Sequence, residues 1–171
     1  WERIYVWKLR YMTKLFGKVL QNHSKFALFK WNPNVIKTIG FKRNLAVKNC
    51  KTKFVCFIDS DAYPKSQWLN DVHKLFKKYK KLGAVGGPNL SPNTKDVEKK
   101  LVSRSRKLSF VTLNTITKSN IENKECYINF LPSCNLIVRT DLYKKVKGMY
   151  ENLYSGEEIS LNKNIRKLGY K

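Results

Sequence analysis

Two carboxylates, Asp59 and Asp61, stand where a short apolar run ends, in Phe54-Val55-Cys56-Phe57-Ile58-Asp59-Ser60-Asp61-Ala62-Tyr63-Pro64. Five apolar residues without alternation read as a strand buried on both faces, as in a parallel sheet. Ligands of open α/β sheets bind outside the carboxyl ends of the strands. An Asp-x-Asp at that place can hold a hard divalent cation, and the cation can hold a diphosphate. Read alone, the pair can equally open a solvated turn ahead of Pro64. A second acidic pair, Glu157-Glu158, follows Gly156 at the head of a segment with Leu161, Ile165 and Leu168 at helical spacing. It can supply a general base, or it can simply complement the positive end of a helix dipole. Lys42, Arg43 and Asn44 fall at the start of another short helix. Cations and free N–H groups there suit a nucleotide or phosphate, and a charged helix start accounts for them equally well.

The elements that must position these residues alternate between strand and helix. Residues 1–21 read as a helix, with Tyr5, Leu9, Met12, Phe16 and Val19 at helical spacing. Phe26–Phe29 is a short strand, and Asn32-Pro33-Asn34 is turn chemistry. Gly40 precedes a short helix over 41–49, and the Asp-x-Asp strand covers 53–58. Ser66 is the expected N-cap of a helix that carries Trp68, Leu69, Val72, Leu75, Phe76 and Tyr79 on one side. Lys77–Lys81 form its charged end and Gly83 its terminator. Trp68 reads as core rather than as a platform for an acceptor. Ala84-Val85 leads as a strand into Gly86-Gly87-Pro88, where glycine lets a ligand approach the backbone or simply makes a tight turn. Residues 91–125 are polar and lysine-rich, with one helix around 96–110. Leu136-Ile137-Val138 is a further strand, a short helix over 140–146 ends near Gly148, and the last helix runs from 157 to 168 with Gly169 as its C′ residue. This order is α/β, without an internal repeat.

Composition narrows the function. A chain of 171 residues suits one domain with a real core, and 42% hydrophobic and 13% aromatic residues argue against disorder. The formal charge of +23 invites a nucleic-acid-binding module. Lysine far outnumbers arginine, however, and is spread along the chain, whereas base and bidentate phosphate readout favour arginine. A solvated lysine surface is the simplest reading, nucleic acid is disfavoured as a partner, and peripheral attraction to an anionic membrane comes second. Cys50, Cys56, Cys126 and Cys134 form no C-x-x-C pair and the two histidines are isolated, which disfavours zinc and a disulfide framework. Reduced cysteines fit a cytoplasmic setting, at or away from the cytoplasmic face of a membrane. No apolar run reaches transmembrane length and no secretory signal pattern is present.

Taken in order, Gly40-Phe41-Lys42-Arg43-Asn44, Phe57–Pro64 with Trp68-Leu69 beyond it, Gly86-Gly87-Pro88, Pro132–Arg139, Gly156–Leu161 and Gly169-Tyr170 resemble family 2 glycosyltransferases of the GT-A fold. The resemblance covers residues from about 40 to the end. It implies an α/β domain with a mostly parallel, Rossmann-like sheet flanked by helices. It also implies inverting, hexosyltransferase-like transfer from a nucleotide-diphosphate donor to a hydroxyl of a glycan, lipid-linked or protein-linked acceptor. Mn²⁺ or Mg²⁺ would sit at Asp61, with Asp59 at the donor's ribose or sugar. Arg43, with Lys42 and Asn44, would approach the donor nucleotide, and Gly86, Gly87 and Asn135 would line the acceptor side. The family's base is the second residue of a Glu-Asp pair. Here that position is Glu158, one methylene longer, and Glu157 is available to share the role. No acidic nucleobase-binding turn precedes Gly40 and no further strand follows Tyr170, so residues 1–171 read as a single catalytic domain cut short at both ends. A nucleotidyltransferase is the competing enzyme class.

Overall fold

The computed structural model describes residues 4–7, 26–29, 37–59, 62, 64–87 and 125–171. In chain order the elements are β1 (Ile4–Trp7), β2 (Phe26–Phe29), α1 (Ile39–Lys48), β3 (Phe54–Ile58), α2 (Trp68–Lys78), β4 (Ala84–Gly86), β5 (Asn135–Arg139), α3 (Thr140–Lys145) and α4 (Glu157–Lys167). The strands form one sheet in the order β2-β1-β3-β5-β4. β1 pairs parallel with both β2 and β3, whereas β5 pairs antiparallel with both β3 and β4. Four strands therefore share one direction and β5 alone runs against them, so the α/β sheet is mixed, with two parallel and two antiparallel pairings.

The sheet is sandwiched between helices, and β3 shows why. All five of its residues are buried. Side chains alternate across a strand. Val55 and Phe57 join Leu136 and Val138 in a core with Ala46 and Val47 of α1, Tyr143 of α3, and Leu161 and Ile165 of α4. Phe54, Cys56 and Ile58 face the other way with Ile137 and Val85, against Val72 of α2 and its partly buried Trp68, Leu69, Leu75 and Phe76. A strand covered on both faces is apolar throughout, which is the run read from the sequence.

Several expectations are corrected. Ile4–Trp7 is a strand within the segment expected to be helical. Its Ile, Tyr, Val and Trp are all strand-favouring types, and pairing on both sides by β2 and β3 outweighs the helical spacing. α2 starts after Ser66, at Trp68, with Gln67 in the cap position and no side-chain cap bond. Gly40 lies inside α1, where Thr38 is the N-cap and its hydroxyl accepts from Phe41 N–H at 3.3 Å. Gly83 does not end α2, whose last residue is Lys78. It is glycine because a Cβ there would stand 2.7 Å from Ile165 Cγ2 and 2.9 Å from Tyr170 Cβ. The helix expected around 96–110 falls outside the described residues, as do Asp61 and Ser60. No helix among the described residues is long and apolar enough to cross a membrane.

Candidate active site

Asp59 directly follows β3, and its N–H meets the Cys134 carbonyl at 3.4 Å. The last residue of β3, Ile58, lies opposite Asn135, the first residue of β5. The same end of the sheet receives the head of α4. Gly156 enters it in the left-handed conformation (φ 79°), and Glu157 and Glu158 occupy the first turn. Carboxylates there complement the helix dipole, but both are buried, at 4% and 8% exposure, so a solvated helix start does not describe them.

Arg43 explains how Glu157 is accommodated. It projects from the buried face of α1 with Gly40, Ala46 and Val47 and is 3% exposed. Its Nη1 donates to Glu157 Oε1 at 2.5 Å and to Ser133 Oγ at 2.7 Å, and its Nη2 reaches Asp59 Oδ1 at 3.4 Å. The guanidinium also lies 5.7 Å from the Phe57 ring centre. A buried charge is tolerated only when paired and hydrogen-bonded, and this cation ties together residues from β3, the loop before β5, and α4. Arg43, expected to approach the donor nucleotide, lies here as an internal cation beneath the strand end.

Glu158 is held differently. Burial raises its carboxyl above the ordinary carboxylate range, and the neighbouring Glu157 adds to that; its own backbone N–H, Arg43 and the Ser133 N–H act against it. Its Oε2 is buried and has no hydrogen-bond partner among the described residues. The backbone of this turn is fixed by Asn162, whose Nδ2 donates to the carbonyls of Glu158 (2.8 Å) and Leu131 (3.1 Å) while its Oδ1 accepts from Leu131 N–H (3.2 Å). Ser133 and Asn162 escaped sequence reasoning. The available signal for Asn162 was a polar residue on the helix face defined by Glu158, Leu161 and Ile165, a position that must be buried.

Asn44 is likewise engaged within the fold. All four of its side-chain hydrogen-bonding positions are used: Nδ2 donates to Met149 O (2.8 Å) and Glu151 Oε1 (2.8 Å), and Oδ1 accepts from Met149 N–H (2.9 Å) and Tyr143 O–H (2.7 Å). That leaves nothing for a nucleotide. Lys42 is half-buried on the neighbouring face of α1. Gly86, Gly87 and Asn135 do come together. Gly86 pairs with Leu136, a Cβ on Gly87 would lie 3.0 Å from Asn135 Nδ2, and Asn135 Oδ1 accepts from Trp68 Nε1 at 3.0 Å. Trp68 packs on the core as expected and also fixes Asn135. Asp59 keeps 45% of its side chain exposed. No group of three or more metal-ligating side chains occurs among the described residues, and Asp61 lies outside them.

The profile of glycosyl transferase family 2 matches residues 37–147, which include α1, β3, Asp59 and β5. The chain belongs to this family. Comparison with solved structures agrees on the GT-A fold. S. aureus TarS 1–349 superposes with a TM-score of 0.58 at 14% identity, over 95% of this chain and 55% of TarS. The same protein in complex with UDP-GlcNAc gives 0.56 at 17% identity, over 95% and 53%. The mannosyltransferase PcManGT from Pyrobaculum calidifontis, in complex with GDP-Man and Mn²⁺, gives 0.59 at 14% identity, over 99% and 53%. The chain thus spans about half the length of these neighbours. A search of curated proteins finds no significant match.

Proposed function

We propose that this chain is the catalytic core of a metal-dependent, inverting glycosyltransferase. It would move a sugar from a nucleotide-diphosphate donor to a hydroxyl of a glycan, lipid-linked or protein-linked acceptor. The observation that carries the reading is Glu158: a buried carboxylate with one oxygen unpartnered among the described residues, at the strand end where an α/β sheet binds its ligands. Its raised pKa suits a group that must take a proton near neutral pH. In a direct displacement, Glu158 accepts the proton of the acceptor hydroxyl as the hydroxyl oxygen bonds to the anomeric carbon. The bond from that carbon to the diphosphate breaks, and the electron pair leaves with the nucleoside diphosphate. Glu157 is committed to Arg43 and does not share the role.

The residues fit a divalent cation. Asp59 offers a hard oxygen donor at the strand end with almost half its side chain exposed, and Asp61 follows two residues later. Asp61 with Asp59 would hold Mn²⁺ or Mg²⁺, which would supply Lewis-acid stabilisation of charge on the departing diphosphate. Asn135, with Gly86 and Gly87, forms the acceptor side.

The test is release of nucleoside diphosphate from a sugar nucleotide by the full-length protein with Mn²⁺; pyrophosphate as product indicates a nucleotidyltransferase instead. Glu158→Gln is expected to lower turnover by about 10²–10⁴-fold while sparing donor affinity. An unchanged rate for Asp61→Ala refutes the metal role.

A further inference from the structure

We infer that Arg43 is a positioning residue for this reaction: its guanidinium fixes the carboxylate that ends β3 to the carboxylate that opens α4, and so sets the base Glu158 relative to the donor side. The inference rests on the glycosyl-transfer reading and assigns Arg43 a task apart from donor contact. Two routes lead from Arg43 to Glu158. One runs through Glu157, the adjacent residue on α4, held at 2.5 Å. The other runs through Ser133, whose hydroxyl accepts from Arg43 and whose backbone N–H works against the raised pKa of the Glu158 carboxyl. The third branch reaches Asp59, on the strand that carries the Asp-x-Asp.

The geometry requires arginine. The three acceptors belong to different elements, and a planar guanidinium presents divergent N–H groups in a fixed fork. An ammonium is a point charge and cannot hold Glu157, Ser133 and Asp59 in one arrangement. At 3% exposure the cation is out of water, so its bonds are not replaced by solvent when one is lost.

The experiment uses the full-length protein and a panel of UDP- and GDP-sugars with Mn²⁺. Removing Arg43 alone leaves a buried carboxylate, so the informative variant is Arg43→Met/Glu157→Met. Exchange of a buried ion pair for apolar side chains of similar volume is often neutral for stability. The expected result is a folded protein that binds UDP or GDP within about threefold of wild type yet has kcat lowered by up to about 10²-fold, the cost of a base misplaced by about 1 Å. Arg43→Lys, which keeps the charge without the fork, is expected to fall between. Unchanged kcat in the folded double variant overturns the inference and makes the pair structural. Lost nucleotide affinity with kcat retained at saturating donor overturns it in favour of direct donor contact. If the double variant does not fold, the same split in Arg43→Lys decides. Failure of the wild type to turn over any of the sugar nucleotides refutes the glycosyl-transfer reading itself, and the inference with it.

Discussion

Asn44→Ala separates a donor ligand from a structural clamp. The side chain joins α1 to the turn after α3 through four hydrogen bonds. Truncation strands the N–H and C=O of Met149 and the hydroxyl of Tyr143, and both residues are 2% exposed. Each buried group left unsatisfied costs about 1–3 kcal/mol. The fourth partner, the exposed Glu151 carboxylate, returns to water at little cost. Three stranded groups give roughly 3–9 kcal/mol, with the lower half of that range favoured because water can enter the vacated space. Against a typical domain stability of about 5–15 kcal/mol this is a large share. The assay is urea unfolding followed by circular dichroism. A loss of about 4 kcal/mol moves the midpoint by about 2 M for an m-value near 2 kcal/mol/M. Tyr143→Phe removes one bond and leaves Asn44 its others, so it is expected to cost about 1 kcal/mol. The reasoning is refuted if Asn44→Ala unfolds within 1 kcal/mol (about 0.5 M urea) of wild type, and doubly so if the variant is stable but has lost nucleoside-diphosphate affinity.

The same logic yields two further expectations. Gly83→Ala places a methyl against Ile165, Tyr170 and Leu142 and is expected to cost about 1–3 kcal/mol by overpacking in thermal or urea unfolding; an unchanged or raised stability would show that the α4 contact yields freely. Burial holds the Glu158 carboxyl above its ordinary 4.5, so the folded state keeps this proton at pH values where the unfolded chain has lost it. The resulting stability is whole below the ordinary value and is lost as pH rises through the raised one. Glu158→Gln, which does not titrate, is therefore expected to gain stability over wild type as pH rises through that window, while turnover collapses. Parallel stability–pH curves for the two proteins would contradict this.

What the sequence disclosed and what it hid follow from the range of the forces involved. β3, β5 and α4 were legible because their apolar spacing is a local signal that burial reproduces. β1 was not, because its identity depends on two neighbours, one of them fifty residues away at Phe54–Phe57. The internal partners of Arg43 and Asn44 were hidden for the same reason. A cation and an amide at a helix start look like ligand-binding groups until tertiary structure brings Glu157 to one and Met149 to the other, more than a hundred residues along the chain. The acidic pair was found as a pair, but only packing divides it, giving Glu157 a cation and leaving one oxygen of Glu158 without a described partner.

The reversed strand decides which loop belongs to the site. In an all-parallel sheet the end of each strand would face the ligand, and for β5 that would be Arg139. β5 instead runs antiparallel to β3, so Arg139 lies opposite Phe54, at the far end of the sheet, where Thr140 N–H bonds the Lys53 carbonyl at 2.9 Å. The residue brought to Asp59 is the first of the strand, Asn135, together with Ser133 and Cys134 before it. This places the Ser133 hydroxyl on Arg43, and sets Asn135 between Trp68 and Gly87. One inverted strand thus delivers both a partner for Arg43 and the candidate acceptor-side amide. Substitutions in 133–135 should accordingly change turnover, whereas substitution of Arg139, paired with Asp141 at the opposite end, should leave it unaltered.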